Sequence, residues 1–249
     1  MRSTTTPSTR SRRMKWGVPA ALIILSLIPV IAGAARLTQL TGGATVTPEN
    51  ARFFASPIPV VTHIVTVTVY SLLGAFQFVP ALRRVTPHQR GSQPQRRRLS
   101  WHQVAGRILV PAGLLAAVSG LWMSMFYTLP VTDGQALMVL RLIFGFGMLG
   151  SIVLGLLAIR RRDFAVHGAW MTRAYAIAVG AGTQALVLLP WTLIVGPTDQ
   201  TMRAVLMGAS WAINLVVAEY FIQRRRATVG SARNQGDPPS SVKLGSVSR

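Results

Sequence analysis

Six runs of about 20 apolar residues dominate this chain, and no other feature narrows its fold as far. They cover about Trp16 to Ala35, Pro57 to Leu82, Trp101 to Phe126, Gln135 to Ile159, Gly168 to Val195 and Met202 to Ile222. Runs of this length match the hydrocarbon thickness of a bilayer. Lipid offers the backbone no hydrogen-bond partners, so each run must satisfy its own N–H and C=O groups as a helix. The expected fold is all-α, an integral membrane bundle of six transmembrane helices over residues 16–223. Residues 1–15 and 224–249 are polar and basic and are expected to be disordered tails.

Charge placement sets the orientation. There are 26 Lys+Arg against 6 Asp+Glu, a formal net charge of +20. Such an excess can signal nucleic-acid binding. Here the cations cluster between apolar runs, with no arginine-rich helix or aromatic-interleaved basic face, and membrane topology accounts for them. The N-terminal tail, the stretch from Arg83 to Arg107, the Arg160–Arg162 loop and the tail from Arg224 are basic, and they alternate with loops that carry few cations. The positive-inside rule then puts both termini in the cytoplasm of a multi-pass cell-membrane protein. Its partners would be the bilayer and the anionic lipids that a basic inner face attracts. Ala-Gly-Ala at 32–34 also permits a signal-peptide reading of the first run, but that run is near full spanning length.

Several chemistries are excluded or disfavoured. With no cysteine there are no disulfides, thiolate metal sites or thiol nucleophiles. No phosphate-binding glycine loop, His-Glu-x-x-His or Gly-x-Ser-x-Gly elbow occurs, and few carboxylates are available for acid–base work.

Local signals mark the helix starts. Ser100 and Gln103 form a capping-box pattern. Asp133, Asp163 and Asp199 each precede an apolar run as N-caps should, and Asp133 could instead pair with Arg141. Pro29, Pro111 and Pro190 are interior and predict kinks.

Ionisable and polar groups inside membrane segments are functional candidates, because they are costly there. His63, Tyr70 and Gln77 recur every seven residues and share one helix face, a polar seam that Arg84 continues. Such a seam serves interhelical hydrogen bonding or a proton or solute path. Gly106, Gly113 and Gly120 continue a face begun by His102, a groove for a neighbouring helix or a flat cofactor. His102 and His167 both sit near the cytoplasmic starts of their helices, with Arg107 and Arg173 close by and Glu219 at matching depth. One reading of this inner-leaflet cluster is an ion-pair lock, Glu219 pairing with Arg173 or Arg107. The sharper reading is a b-type haem on His102 and His167, with Arg107 and Arg173 on its propionates. His63 has no histidine at its own depth, and His88 reads as a solvated loop residue.

The segments "HIVTVTVYSLLGAFQFVPALR" (63–83), "WHQVAGR" (101–107) and "RRDFAVHGAWMTRAYA" (161–176) resemble the bacterial predicted-membrane-protein family known as domain of unknown function 2306. The similarity covers roughly residues 60–190, and its most specific part is His-x-x-Trp-Met-x-Arg. It implies that His63, Gln77, His102, Gly106, Arg107, His167, Trp170, Met171 and Arg173 are motif positions. Gln103 departs from the basic residue expected after that histidine. The resemblance brings no activity with it. Three readings follow from the sequence: a haem-binding redox protein, a proton-linked transporter using the seam, and a non-catalytic partner- or lipid-binding protein.

Overall fold

The computed structural model describes residues 10–79 and 100–236. Among these residues the ordered elements are helical: α1 (Arg10–Thr41), α2 (Ala51–Ala55), α3 (Pro57–Ala75) with a 3₁₀ turn at Phe76–Phe78, α4 (Trp101–Phe126), α5 (Gln135–Arg160), α6 (Phe164–Ala178), α7 (Gly180–Ile194) and α8 (Gln200–Gly236). Six stretches are long and apolar enough to cross a membrane, α6 and α7 together forming one of them. Arg84, His88 and most of both tails lie outside the described residues, although α8 continues past residue 224 to Gly236.

The caps explain where several spans begin. Ser100 Oγ accepts from Gln103 N at 3.3 Å and Gln103 Oε1 accepts from Ser100 N at 3.0 Å, the reciprocal box expected. Asp163 and Asp199 accept from the amides of Val166 and Met202 at 2.9 Å and 2.7 Å. Asp133 does not cap. Gly134 holds the N-cap position of α5 without a side-chain bond, and Asp133 is drawn instead into two ion pairs described below. Pro29, Pro111 and Pro190 lie inside α1, α4 and α7.

Each span buries only part of itself in protein, from 11% of the first window to 39% of the third. Side chains such as Ile24, Leu193 and Val216 are two-thirds or more exposed to the surroundings of the bundle. In water such a surface would associate, whereas lipid tails match it. The core that remains is built from small residues and two tyrosines: Ala75, Ala105, Ala112, Ala116, Tyr70 and Tyr175 are all buried in one cluster. Small residues let backbones approach where no hydrophobic force between helices operates.

The fifth apolar run is broken. α6 stops at Ala178, Val179 takes a non-helical turn, and α7 begins at Gly180. Gly180 lies against the Trp211 ring and Gly182 against the Leu25 backbone, so neither site has room for a side chain. At the break Asn214 of α8 donates from Nδ2 to the Ala176 carbonyl at 3.1 Å and accepts from Thr183 at 2.8 Å. A side chain thus satisfies backbone that lipid could not.

Two ends of the bundle are distinguished below. The basic end carries the starts of α1, α4 and α6. The distal end carries α2 and the starts of α3, α5 and α8.

Candidate functional site

The polar seam of α3 and the glycine groove of α4 fit each other. A Cβ added at Gly113 would meet the Tyr70 ring at 2.6 Å, and one at Gly120 would meet the His63 ring at 3.1 Å. Each ring of the seam fills a notch that a missing side chain leaves, so the two seven-residue periods form one antiparallel contact. Tyr70 is buried there, and Tyr175 crosses from α6, donating to the Ser71 carbonyl at 2.6 Å. At the basic end Gln77 Oε1 and His102 Nδ1 are hydrogen-bonded; the amide oxygen only accepts, so His102 Nδ1 carries the proton. Gly106, by contrast, has no neighbour among the described residues within 4 Å of an added Cβ.

His167 turns to a different helix. Its Nδ1 lies 2.8 Å from the Gly155 carbonyl of α5, which fixes the Nδ1–H tautomer. Arg173 forms a two-pronged pair with Glu219 of α8, at 2.5 Å and 3.0 Å, and its guanidinium lies 4.5 Å above the Trp170 ring. Arg107 is exposed and forms no ion pair among the described residues, so Glu219 takes Arg173. The residues suggested for haem are therefore directed to separate partners: His102 to the end of α3, His167 to α5, and Arg173 to α8. Among the described residues no group of three or more His, Asp or Glu is arranged to hold a metal ion. The hydrogen bonds of His102 and His167 engage Nδ1 rather than Nε2, so they neither build nor block a haem shared between the two.

A cavity of about 480 Å³ lies in the distal half, enclosed by α1, α3, α4, α5, the α6–α7 break and α8. Its size is ordinary for a small-molecule site. Its wall is largely apolar, with Phe144, Met148, Met207 and Trp211 among its members. His63 is the one seam residue that lines it; Tyr70 and Gln77 do not. His63 Nδ1 donates to the Ala116 carbonyl at 2.9 Å, leaving Nε2 as the acceptor nitrogen. Gln184 of α7 also lines the cavity. It is only 8% exposed, and its Nε2 has no hydrogen-bond partner among the described residues. Ile177, Ala178, Val179 and Ala181 bring the helix break itself to the cavity wall.

Arginines gather at the mouth. Asp133, with its side chain 3% exposed, binds Arg141 at 2.5 Å and Arg203 at 2.7 Å, tying α5 to α8. Arg52 of α2 donates to the Thr128 carbonyl at 3.1 Å and packs on Phe53, which Arg36 also covers. Partial burial lowers the Arg52 pKa, and Asp133 opposes that shift. The Asp133–Arg141 pair was legible in the sequence. Arg203, Arg52, Asn214 and Gln184 were missed, although a lone glutamine beside Gly180 and Gly182 in an apolar run was a usable sign.

A family model described as Predicted membrane protein (DUF2306) matches residues 60–222. No curated protein and no solved structure matches the chain.

Proposed function

Because the chain belongs to the DUF2306 family of predicted membrane proteins, we propose that it is a carrier-type binding protein that admits a small molecule from the distal side. The observation that carries this reading is Gln184, whose amide is held in the cavity with an unused donor. An unsatisfied buried polar group costs about 1–3 kcal/mol, and a ligand with an acceptor recovers that cost. The helix break beside it supports the same reading, since interrupted membrane helices lining a cavity are a recurrent setting for solute sites. So does the asymmetry of the bundle. The distal half is open, while Tyr70, Tyr175 and the Gln77–His102 contact close the basic half. His63 is then a cavity residue, and Tyr70 and Gln77 belong to the closed half.

Haem bound by His102 and His167 gains no support from the bundle, since no metal-holding group is assembled among the described residues. The inner cluster reads better as a lock in which Arg173 and Glu219 join α6 to α8. The test is comparative. Full-length protein and a Gln184→Leu variant are purified from the same cells, and the small molecules each retains are identified by mass spectrometry. The reading expects at least one compound held by the parent and lost from the variant. Identical extracts would count against it.

A further inference from the structure

We propose that the occupant of the distal cavity is a small amphipathic organic anion, its acidic head on Arg52 and Arg141 at the mouth, its apolar body along the Phe144 and Met148 wall, and an acceptor group reaching Gln184. This rests on the binding role proposed above for the cavity.

Charge at the mouth is the first ground. Arg52 and Arg141 line the cavity, and the only acid among its described lining residues is Asp133. That carboxylate is shared between Arg141 and Arg203. Three arginines around one aspartate leave a surplus of two positive charges beside an opening in the protein. Arg52 has no carboxylate partner among the described residues and spends one N–H on the Thr128 carbonyl. A guanidinium has five N–H donors and no acceptor, so its spare donors favour an anion.

Donor polarity at depth is the second ground. As the Gln184 amide is oriented, its unpartnered Nε2 presents a donor to an acceptor on the ligand. A cationic ligand would meet guanidiniums at the mouth and find no unpaired carboxylate within. The apolar wall between these points excludes a ligand that is polar throughout. The arginines also stand out because they lie at the end where the sequence otherwise carries few cations. Topology does not explain them.

The test uses full-length protein in nanodiscs of zwitterionic lipid, with equilibrium dialysis corrected for binding to empty discs. The probes are 6-acetylnaphthalene-2-carboxylate, the uncharged 6-acetyl-2-naphthamide and the cationic (6-acetylnaphthalen-2-yl)methylammonium, the acetyl oxygen of each supplying the deep acceptor. The carboxylate should bind saturably and about tenfold or more tighter than the amide, reflecting one good charge-assisted contact. Arg52→Gln should weaken the carboxylate by more than the amide and so shrink that preference. Gln184→Leu should weaken both probes. Salt provides a check that needs no variant: added NaCl should weaken the carboxylate alone, by screening at the partly exposed mouth. Equal affinity for carboxylate and amide, or tightest binding of the ammonium, overturns the anion assignment and leaves the binding role standing. No saturable binding of any probe counts against both.

Discussion

Gln184 and Glu219 show how differently two polar residues can sit in one bundle. The Gln184 amide is buried and unsatisfied, so a leucine there should remove a penalty. Gln184→Leu is expected to stabilise the ligand-free protein by about 1 kcal/mol, read as a higher thermal midpoint in detergent. A lower midpoint would assign the amide a structural role and take away the main support for the cavity as a site. Glu219 is the opposite case. It is fully engaged by Arg173, yet the two side chains are 37% and 22% exposed. Glu219→Ala should therefore cost about 1 kcal/mol or less, well short of the 3–5 kcal/mol of a dry pair broken on one side. An unchanged midpoint would mean that the lock carries nothing. The same separation of partners bears on colour. His102 and His167 are anchored through Nδ1 to different elements and no metal-holding group is assembled among the described residues, so protein from haem-replete cells is expected to show no Soret band; a band lost in both His102→Ala and His167→Ala would restore the haem reading.

Helices meet here through notches, and the notches set how much each contact tolerates. Gly113 receives the Tyr70 ring, with Ile152 at 2.9 Å on the same added Cβ. Gly113→Ala should cost about 1–3 kcal/mol by overpacking α3, α4 and α5 together, measurable as a lower unfolding midpoint. Gly106→Ala, one notch along the same face, meets nothing within 4 Å and should leave the midpoint unchanged. The pair of variants separates a packing groove from a general dislike of alanine. Periodicity made both partners of this contact visible from the sequence: a ring every seven residues on α3 and a glycine every seven on α4. It could not show that they belonged to one another, because pairing between helices is a matter of register in space. The break between α6 and α7 was hidden for a related reason. Hydropathy continues through Val179, and the close approaches of Trp211 to Gly180 and of Leu25 to Gly182 come from two other elements. For Asp133 the sequence offered a cap or a pair with Arg141; the pair forms, and Arg203, which completes it, is too far along the chain to be read. The two arginines that claim it lie eight and seventy residues away.

At the scale of the whole molecule, the basic end and the arginine-rimmed distal end make different claims on orientation. The loops at the basic end hold most of the cations, and the positive-inside rule puts that end in the cytoplasm. Arg36, Arg52, Arg141 and Arg203 lie at the other end, where they weaken the asymmetry the rule depends on. All four are engaged in ion pairs or ring contacts. They become ordered only after helices α2, α5 and α8 have come together, whereas topology is set by unfolded loops during insertion. The basic loops should therefore decide the outcome. The absence of cysteine makes this directly measurable, because any thiol introduced is the only one in the chain. Val131 is 91% exposed in the distal loop before α5, and Arg161 is exposed in the turn between α5 and α6. In intact cells Val131→Cys should react with a membrane-impermeant maleimide, and Arg161→Cys should react only after the membrane is opened. The reverse pattern would turn the bundle over, make the cavity open to the cytoplasm, and change the side from which its ligand arrives without altering the cavity itself.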